Sequence, residues 1–256
     1  MGEGRFESRI DDSWSVVRGP NGGYVAAIIL RALVERLADP GRSPRSFTVH
    51  YLSRPRSGPV TIATAVERTG RSVAFLSGRL LQDDELRAIA VATFSAARHG
   101  IEYVDVQAPE VPRPEELAPL PRSPEMPPFL AHWDHRHAVG HPPFAGAGEA
   151  LTGGWMRLVE PRPVDAMLAA TLTDAWVPSI FARVGAPATA PTIDLTVHFR
   201  RALPVPGANP EDFVLGVFRS RMAHDGFFEE DGELWSSDGL LLAQSRQLAL
   251  ALPASG

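Results

Sequence analysis

The sequence predicts an α+β protein of two repeats. Each repeat is a long central helix wrapped by a curled antiparallel sheet, and the two sheets join into one continuous sheet. Three observations carry this prediction. The chain begins again near its middle: Phe47-Thr48-Val49-His50-Tyr51 returns as Leu195-Thr196-Val197-His198-Phe199, 148 positions later. Each copy follows a helix-like apolar segment and precedes strand-like ones. A second pairing, Leu86 to Ala90 with Gly239 to Ala243, lies 153 positions apart, the five extra residues falling in loops. The stretch Tyr24 to Leu30 is apolar nearly all the way round, so a helix there must be covered on several sides, as a curled sheet would do. The remaining segments alternate apolar and polar residues with the period of a strand. One such unit would leave half its sheet unpaired. Two can join edge to edge, and their seam is a natural place for a site drawn from both halves.

The elements follow in order. Arg5 to Val17 reads as a first strand, and Arg18 to Gly23 as a turn in which Asn21 is placed to cap a helix running from Tyr24 to Leu37. Strands are expected at Arg45 to Leu52, Val60 to Arg68, Ser72 to Gln82 and Leu86 to Ala97, with Asp83-Asp84-Glu85 turning the last hairpin. Eight prolines between Pro109 and Pro128 preclude ladders or helices. That segment reads as a semi-extended linker between an N-terminal unit (1–108) and a C-terminal one (129–256). The second unit opens with strands at Phe129 to Val139 and Thr152 to Glu160. Asp165 is placed to cap a helix from Ala166 to about Trp176 or Val177, with Pro178 near its end. Strands at Thr192 to Arg200, Asp212 to Met222, Phe227 to Trp235 and Leu240 to Leu252 complete the unit, the last two joined by the turn Ser236 to Gly239.

The 256 residues are 44% hydrophobic and 21% charged, the make-up of a soluble globular protein. A net charge of −5 and the lack of a Lys/Arg block argue against nucleic acid or an anionic membrane as partner. With no cysteine, disulfides, thiolate catalysis and Cys-based zinc sites are excluded. No stretch approaches the roughly 20 apolar residues of a membrane span. The segment Met1 to Arg9 lacks the apolar run of a signal peptide, so a cytoplasmic location is expected. There is no nucleophile elbow, phosphate-binding loop or dinucleotide fingerprint. His132, His135, His137 and His141 cluster in sequence without an acidic or Cys partner to complete a ligand set, and no metal is expected.

Three polar residues and a glycine pair could carry chemistry. Asp174 is the one charge in Ala166 to Val177 and sits late in the predicted helix, where the negative end of the dipole disfavours a carboxylate. Either it faces solvent at a fraying end, or something holds it there for a purpose. Thr192 opens a strand and reads equally as an ordinary β residue. Gln247 competes with Gln244; three positions apart, they face opposite sides of a strand, and only one can point at the helix. Gly22 and Gly23 open the first helix, where free N–H groups can hold an anion or a polarised carbonyl. His50 and His198 occupy matching repeat positions and read as packing or seam residues.

At these positions the chain resembles the double hotdog acyl-CoA thioesterases, the thioesterase II-like family, over most of both halves. Asn21-Gly22-Gly23-Tyr24 is similar to the start of that fold's first central helix, and Thr173 to Pro178 to its second-helix Asp motif. Thr192 to Phe199 is similar to the strand that follows, and Leu241 to Gln247 to the end strand that contributes a Gln. In that family an Asp, a Thr and a Gln hold the attacking water, which the resemblance puts on Asp174, Thr192 and Gln247. Leu195 departs from the pattern, standing where relatives often have His. The first-half positions matching Asp174 and Gln247 fall near Ala26 and at Phe94, which implies one water site per chain. The expected activity is hydrolysis of an acyl-CoA or acyl-carrier thioester without cofactor or metal, by a homo-oligomer. Asp174 would act as base, and the Gly22 and Gly23 amides would polarise the thioester carbonyl. A thiolate leaves readily, its conjugate acid having a pKa of roughly 8.5, so such chemistry needs little more than an oriented water, a carboxylate and oxyanion donors. The alternatives are a hotdog enoyl-CoA hydratase or dehydratase, which pairs an Asp with a His, and a non-catalytic acyl-thioester-binding module.

Overall fold

A computed structural model describes residues 4–253. The outermost residues of the two expected units, 1–3 and 254–256, lie outside the described residues. The first half contains β1 (Arg5–Ile10), α1 (Gly22–Leu37), β2 (Ser43–Tyr51), β3 (Gly58–Thr69), β4 (Val73–Gln82) and β5 (Glu85–Ser95). The second contains β6 (Trp133–Gly140), β7 (Ala150–Leu158), α2 (Ala166–Leu172), α3 (Ile180–Arg183), β8 (Ala188–Thr189) and β9 (Thr192–Phe199). It continues with β10 (Val214–Ser220), β11 (Ala223–His224), β12 (Phe227–Ser236), β13 (Leu241–Leu250) and β14 (Leu252–Pro253). One large sheet runs in the order β1-β3-β4-β5-β2-β9-β13-β12-β10-β7-β6, with β11 paired to β12 off this path; β8 and β14 form a separate short pair. No helix among the described residues is long and apolar enough to cross a membrane.

The halves meet where β2 pairs antiparallel with β9, and Thr48 stands directly opposite Thr196. These two are the same position of the repeat, which is what a two-fold axis through the seam requires. Their hydroxyls hydrogen-bond at 3.0 Å. Phe47, Val49, Leu195 and Val197, flanking them on the other face, are each no more than 1% exposed. His50 and His198 lie in the seam as expected, but exposed rather than packed. The second repeat pairing is out by two. Ala90 lies opposite Val49 in β2, whereas Ser245 is the residue opposite the matching Val197 in β9. A two-residue slip preserves the face, so the pattern could not reveal it. The first-half counterpart of Gln247 is therefore Ala92 and not Phe94.

α1 lies on the inner face of this sheet and buries Val25, Ala26, Ile29, Leu30, Ala32 and Leu33. Each fully buried Val, Ile or Leu contributes about 1.5–3 kcal/mol of hydrophobic stabilisation. Asn21 is the N-cap, its side chain accepting the Tyr24 N–H at 2.9 Å. The β4–β5 hairpin turns through Asp83 and Asp84, both in the left-handed region, the geometry a two-residue hairpin loop demands.

Three sequence expectations need correction. The second central helix is not long: α2 stops at Leu172, capped by Thr173, after seven residues. Pro178 has no N–H for the Asp174 carbonyl four residues back, and its ring disfavours helix at Val177. Thr171 and Thr173 turn their hydroxyls back onto the carbonyls of Met167 and Ala170, a habit that weakens helices. Next, Pro128–His132 forms a 3-10 turn and the strand begins only at Trp133. Likewise β1 ends at Ile10, and Asp12–Trp14 is a 3-10 turn capped by Asp11.

The proline-rich segment forms no ladder, but contrary to expectation Pro114–Glu116 makes a short 3-10 turn, started by Pro114 whose missing N–H is not needed there, and the segment is anchored to the sheet. The Trp155 indole donates to the Pro112 carbonyl at 2.9 Å, and the Leu120 N–H to the His135 carbonyl at 2.7 Å. Val111 and Leu117 pack on Val139, Trp155, Leu215 and Trp235.

Because Phe47 sits at the seam with no exposed surface, Phe47→Ala should cost about 3–5 kcal/mol in urea unfolding. A loss below about 1 kcal/mol would mean that the seam is not a packed core.

Candidate active site

Two short hydrogen-bonded clusters hold the polar residues that the sequence singles out. The first joins the start of α1 to the end of α2. Asp174 lies just past α2, in the turn whose N–H bonds to the Thr171 carbonyl at 3.1 Å. One oxygen of its carboxylate, Oδ2, accepts the Gly23 backbone N–H at 2.9 Å and the Asn21 amide at 3.0 Å. The same Asn21 nitrogen donates to the Asp174 carbonyl at 2.7 Å, filling the acceptor that Pro178 leaves open. Asn21 therefore does two jobs with opposite ends. Its oxygen caps α1 and its NH2 binds Asp174. Asp or Ser, good caps elsewhere, could not supply that NH2.

Glycine is needed here for close approach. A Cβ on Gly23 would lie 2.7 Å from the Thr171 carbonyl oxygen, and one on Gly22 would lie 2.9 Å from Asp174 Oδ2. From β2, the Tyr51 hydroxyl donates to the Gly22 carbonyl at 2.8 Å. Burial, then the charges of Asp174 and Asp194, push the Tyr51 pKa up, so it stays a donor.

The Asp174 pKa rises from 3.8 to about 7. Burial is the largest cause. The Gly23 N–H opposes it, the charge of Glu230 reinforces it, and Gly22 and Asn21 pull it down again. Asp174 nonetheless keeps part of its surface open.

The second cluster lies on β9, β12 and β13. The Thr192 hydroxyl donates to Gln247 Oε1 at 3.0 Å, and Gln247 Nε2 donates to Glu230 Oε1 at 2.6 Å. Glu230 Oε2 accepts the Ser179 N–H. Gln247 stands directly opposite Glu230, while Thr192 is opposite Ala249 beyond a bulge at Leu248 and Ala249. That bulge puts Thr192 on the same face as Gln247. Gln244 is on the other face, where it accepts from Arg200.

The structure thus brings Thr192 and Gln247 into one hydrogen-bonded pair and holds Asp174 at the start of α1, with Glu230 the charge that Asp174 feels from the second cluster. The Gly22 and Gly23 amides depart from expectation. Both serve the Asp174 carboxylate, so they are not free donors for a substrate carbonyl. Glu230 was missed by sequence reading. Its signal is parity: the inward row of β12 runs Phe228, Glu230, Gly232, Leu234, with an acid among core residues.

Among the described residues, no three His, Cys, Asp or Glu side chains gather to hold a metal. His135 stacks on Trp133 and meets Trp176 edge-on at 5.0 Å, and burial pushes its pKa down to about 4. A cleft of about 420 Å³ opens between α1 and α2, lined by Trp14, Tyr24, Ile28, Met167, Leu168 and Thr171 among others.

Comparison with known proteins places these observations. Residues 10–95 match the model of the acyl-CoA thioesterase N-terminal domain, and residues 110–251 that of the acyl-CoA thioesterase C-terminal domain. No curated protein sequence matches the chain. Among solved structures, a conserved hot dog fold protein of unknown function from Alicyclobacillus acidocaldarius superposes with a TM-score of 0.89 at 28% identity, covering 98% of this chain and 94% of the other. Acyl-CoA thioesterase II TesB2 from Mycobacterium marinum gives 0.77 at 21% identity, with coverages of 98% and 94%. The tesB protein of Mycobacterium avium subs paratuberculosis gives 0.78 at 22%, with coverages of 98% and 94%. These likenesses show the hot dog fold.

The raised Asp174 pKa has a consequence for stability. Between pH 3.8 and about 7 the folded chain keeps a proton that the unfolded chain releases, so this group makes stability fall as pH rises through that window. Asp174→Asn should therefore unfold at higher urea than the parent near pH 8, with the advantage gone near pH 4. A variant less stable than the parent near pH 8 would show that Asp174 is stabilising as a carboxylate.

Proposed function

This chain belongs to the acyl-CoA thioesterase family, a thioester hydrolase carrying both the N- and C-terminal domains, and from that footing we propose that it hydrolyses acyl-CoA by a water that Asp174 activates. The observation that carries the reading is a carboxylate with a pKa of about 7, partly open, fixed between the two halves by Asn21 and Gly23. A base poised near the working pH is what proton abstraction from water requires.

In this reading the attacking water lies between Asp174 and the Thr192–Gln247 pair. Thr192 spends its proton on Gln247 and keeps lone pairs to accept from the water. Asp174 accepts the other water proton as the oxygen attacks the thioester carbonyl carbon. The C–O bond forms, the tetrahedral intermediate collapses, the C–S bond breaks and CoA leaves as thiolate. In the same reading the chain divides into an N-terminal unit (1–108), a proline-rich linker (109–128) and a C-terminal unit (129–256).

The hydratase alternative needs a histidine beside the aspartate. Asp174's hydrogen-bond partners are Asn21, Gly22 and Gly23, and none of the groups that shift its pKa is a histidine. That favours hydrolysis. Thiol release from a panel of acyl-CoAs tests the reading. The parent should release thiol with kcat/KM falling below about pH 7, and Asp174→Asn should lose about 10²–10⁴-fold in kcat. An Asp174→Asn enzyme at full rate would end the assignment, and loss of enoyl-CoA absorbance without thiol release would favour hydration.

A further inference from the structure

Resting on the hydrolytic reading, we propose that Glu230 is a positioning residue that sets the direction of the hydrogen bonds orienting the attacking water. A glutamine amide can be turned either way round, with its oxygen or its nitrogen toward a given neighbour. With Glu230 ionised, and so an acceptor only, the choice is forced. The Ser179 backbone can only donate, so it takes one oxygen of Glu230; the other oxygen of the carboxylate is left to accept from Gln247 Nε2 at 2.6 Å. Gln247 must then present Oε1 to Thr192, and Thr192 must give its proton to Gln247 at 3.0 Å. Every donor in this chain points toward Glu230. The Thr192 oxygen is left facing outward as an acceptor, so a water bound there donates to it and donates its other proton to Asp174. Its lone pair is then free for the carbonyl carbon. With the amide turned round, Thr192 would donate to the water, tie up one of its two lone pairs and turn its O–H bonds away from this arrangement.

The placement argues for function. Glu230 is 4% exposed, and both its oxygens are met by uncharged N–H donors. Burying a carboxylate without a cation is costly, and a neutral or apolar residue would pack the same inward position of β12 without that cost. Glu230 also stands directly opposite Gln247 in the register, so its reach to the amide is a cross-strand contact between rigid elements. Burial pushes its own pKa up, with the Ser179 and Gln247 donors acting in the other direction.

The substitution Glu230→Gln separates direction from shape. A glutamine there has the same size, but with its oxygen on the Ser179 N–H it presents an NH2 to Gln247, which turns Gln247 round. The expected result is a folded enzyme whose kcat falls about tenfold or more while KM stays within about twofold, the mark of a misoriented reactant. In the parent, the Gln247 side-chain amide protons should be shifted downfield by the carboxylate in NMR spectra and exchange slowly with solvent. Parent-like kcat in folded E230Q, or a rise in KM alone, overturns the proposal. Should E230Q fail to fold, the NMR signature of the unaltered protein decides, and a freely exchanging Gln247 amide overturns it. The two readings fail separately. Full activity in Asp174→Asn sinks the hydrolytic mechanism, whereas an inactive Asp174→Asn beside a parent-like E230Q sinks only the role of Glu230.

Discussion

The carboxylate of Asp174 docked on the first turn of α1 is the contact on which the rest depends. Asp174 stands just past the end of α2, where a carboxylate meets the wrong end of the helix dipole. The opposite end of another helix resolves the conflict. Asn21, Gly22 and Gly23 present donors from the N-terminus of α1, and that N-terminus carries no acidic residue in its first turn. The solvation is deliberate but incomplete. Burial and the charge of Glu230 outweigh the donors, leaving the group with a pKa of about 7 and not the 3.8 of a free aspartate. A stronger clamp would make a better-held but weaker base.

Duplication explains why this contact lies between halves. The seam places Thr48 against Thr196, so the scaffold is symmetric where it joins. The site breaks that symmetry. Asp174, Thr192, Gln247 and Glu230 all come from the second half, and the first half gives α1 with Asn21, Gly22 and Gly23. Its counterpart of Gln247, Ala92, is a core residue with no exposed surface. α1 runs 16 residues while α2 runs seven, and it is the early stop of α2 that frees Asp174 to turn onto its partner. Symmetry supplies the wide sheet and two helices side by side; divergence at a few inward positions supplies the residues of the proposed site.

Much of this was legible in the sequence because burial leaves periodic traces. The repeat around His50 and His198, the apolar α1 and the alternating strands defined the sheet and its seam, since each is written in side chains that must face one way. The isolated charge of Asp174 in an apolar segment was equally plain, as was the opposition of Gln244 and Gln247. What escaped was decided by contacts between distant segments. The length of α2 turned on a carbonyl that Pro178 could not satisfy and Asn21 did. The amides of Gly22 and Gly23 looked like free donors because nothing in their own segment shows that Asp174 occupies them. Glu230 sits in an acidic run, Glu229 to Asp231, where only the parity of β12 tells the inward acid from its outward neighbours.

In the proposed mechanism, joining the halves makes Asp174 a base fit for neutral pH. The most direct test is a carbon-13 NMR titration of the Asp174 carboxyl in the ligand-free protein, assigned with Asp174→Asn. The account predicts a midpoint near 7. A midpoint near that of an ordinary aspartate, about 4, would contradict it.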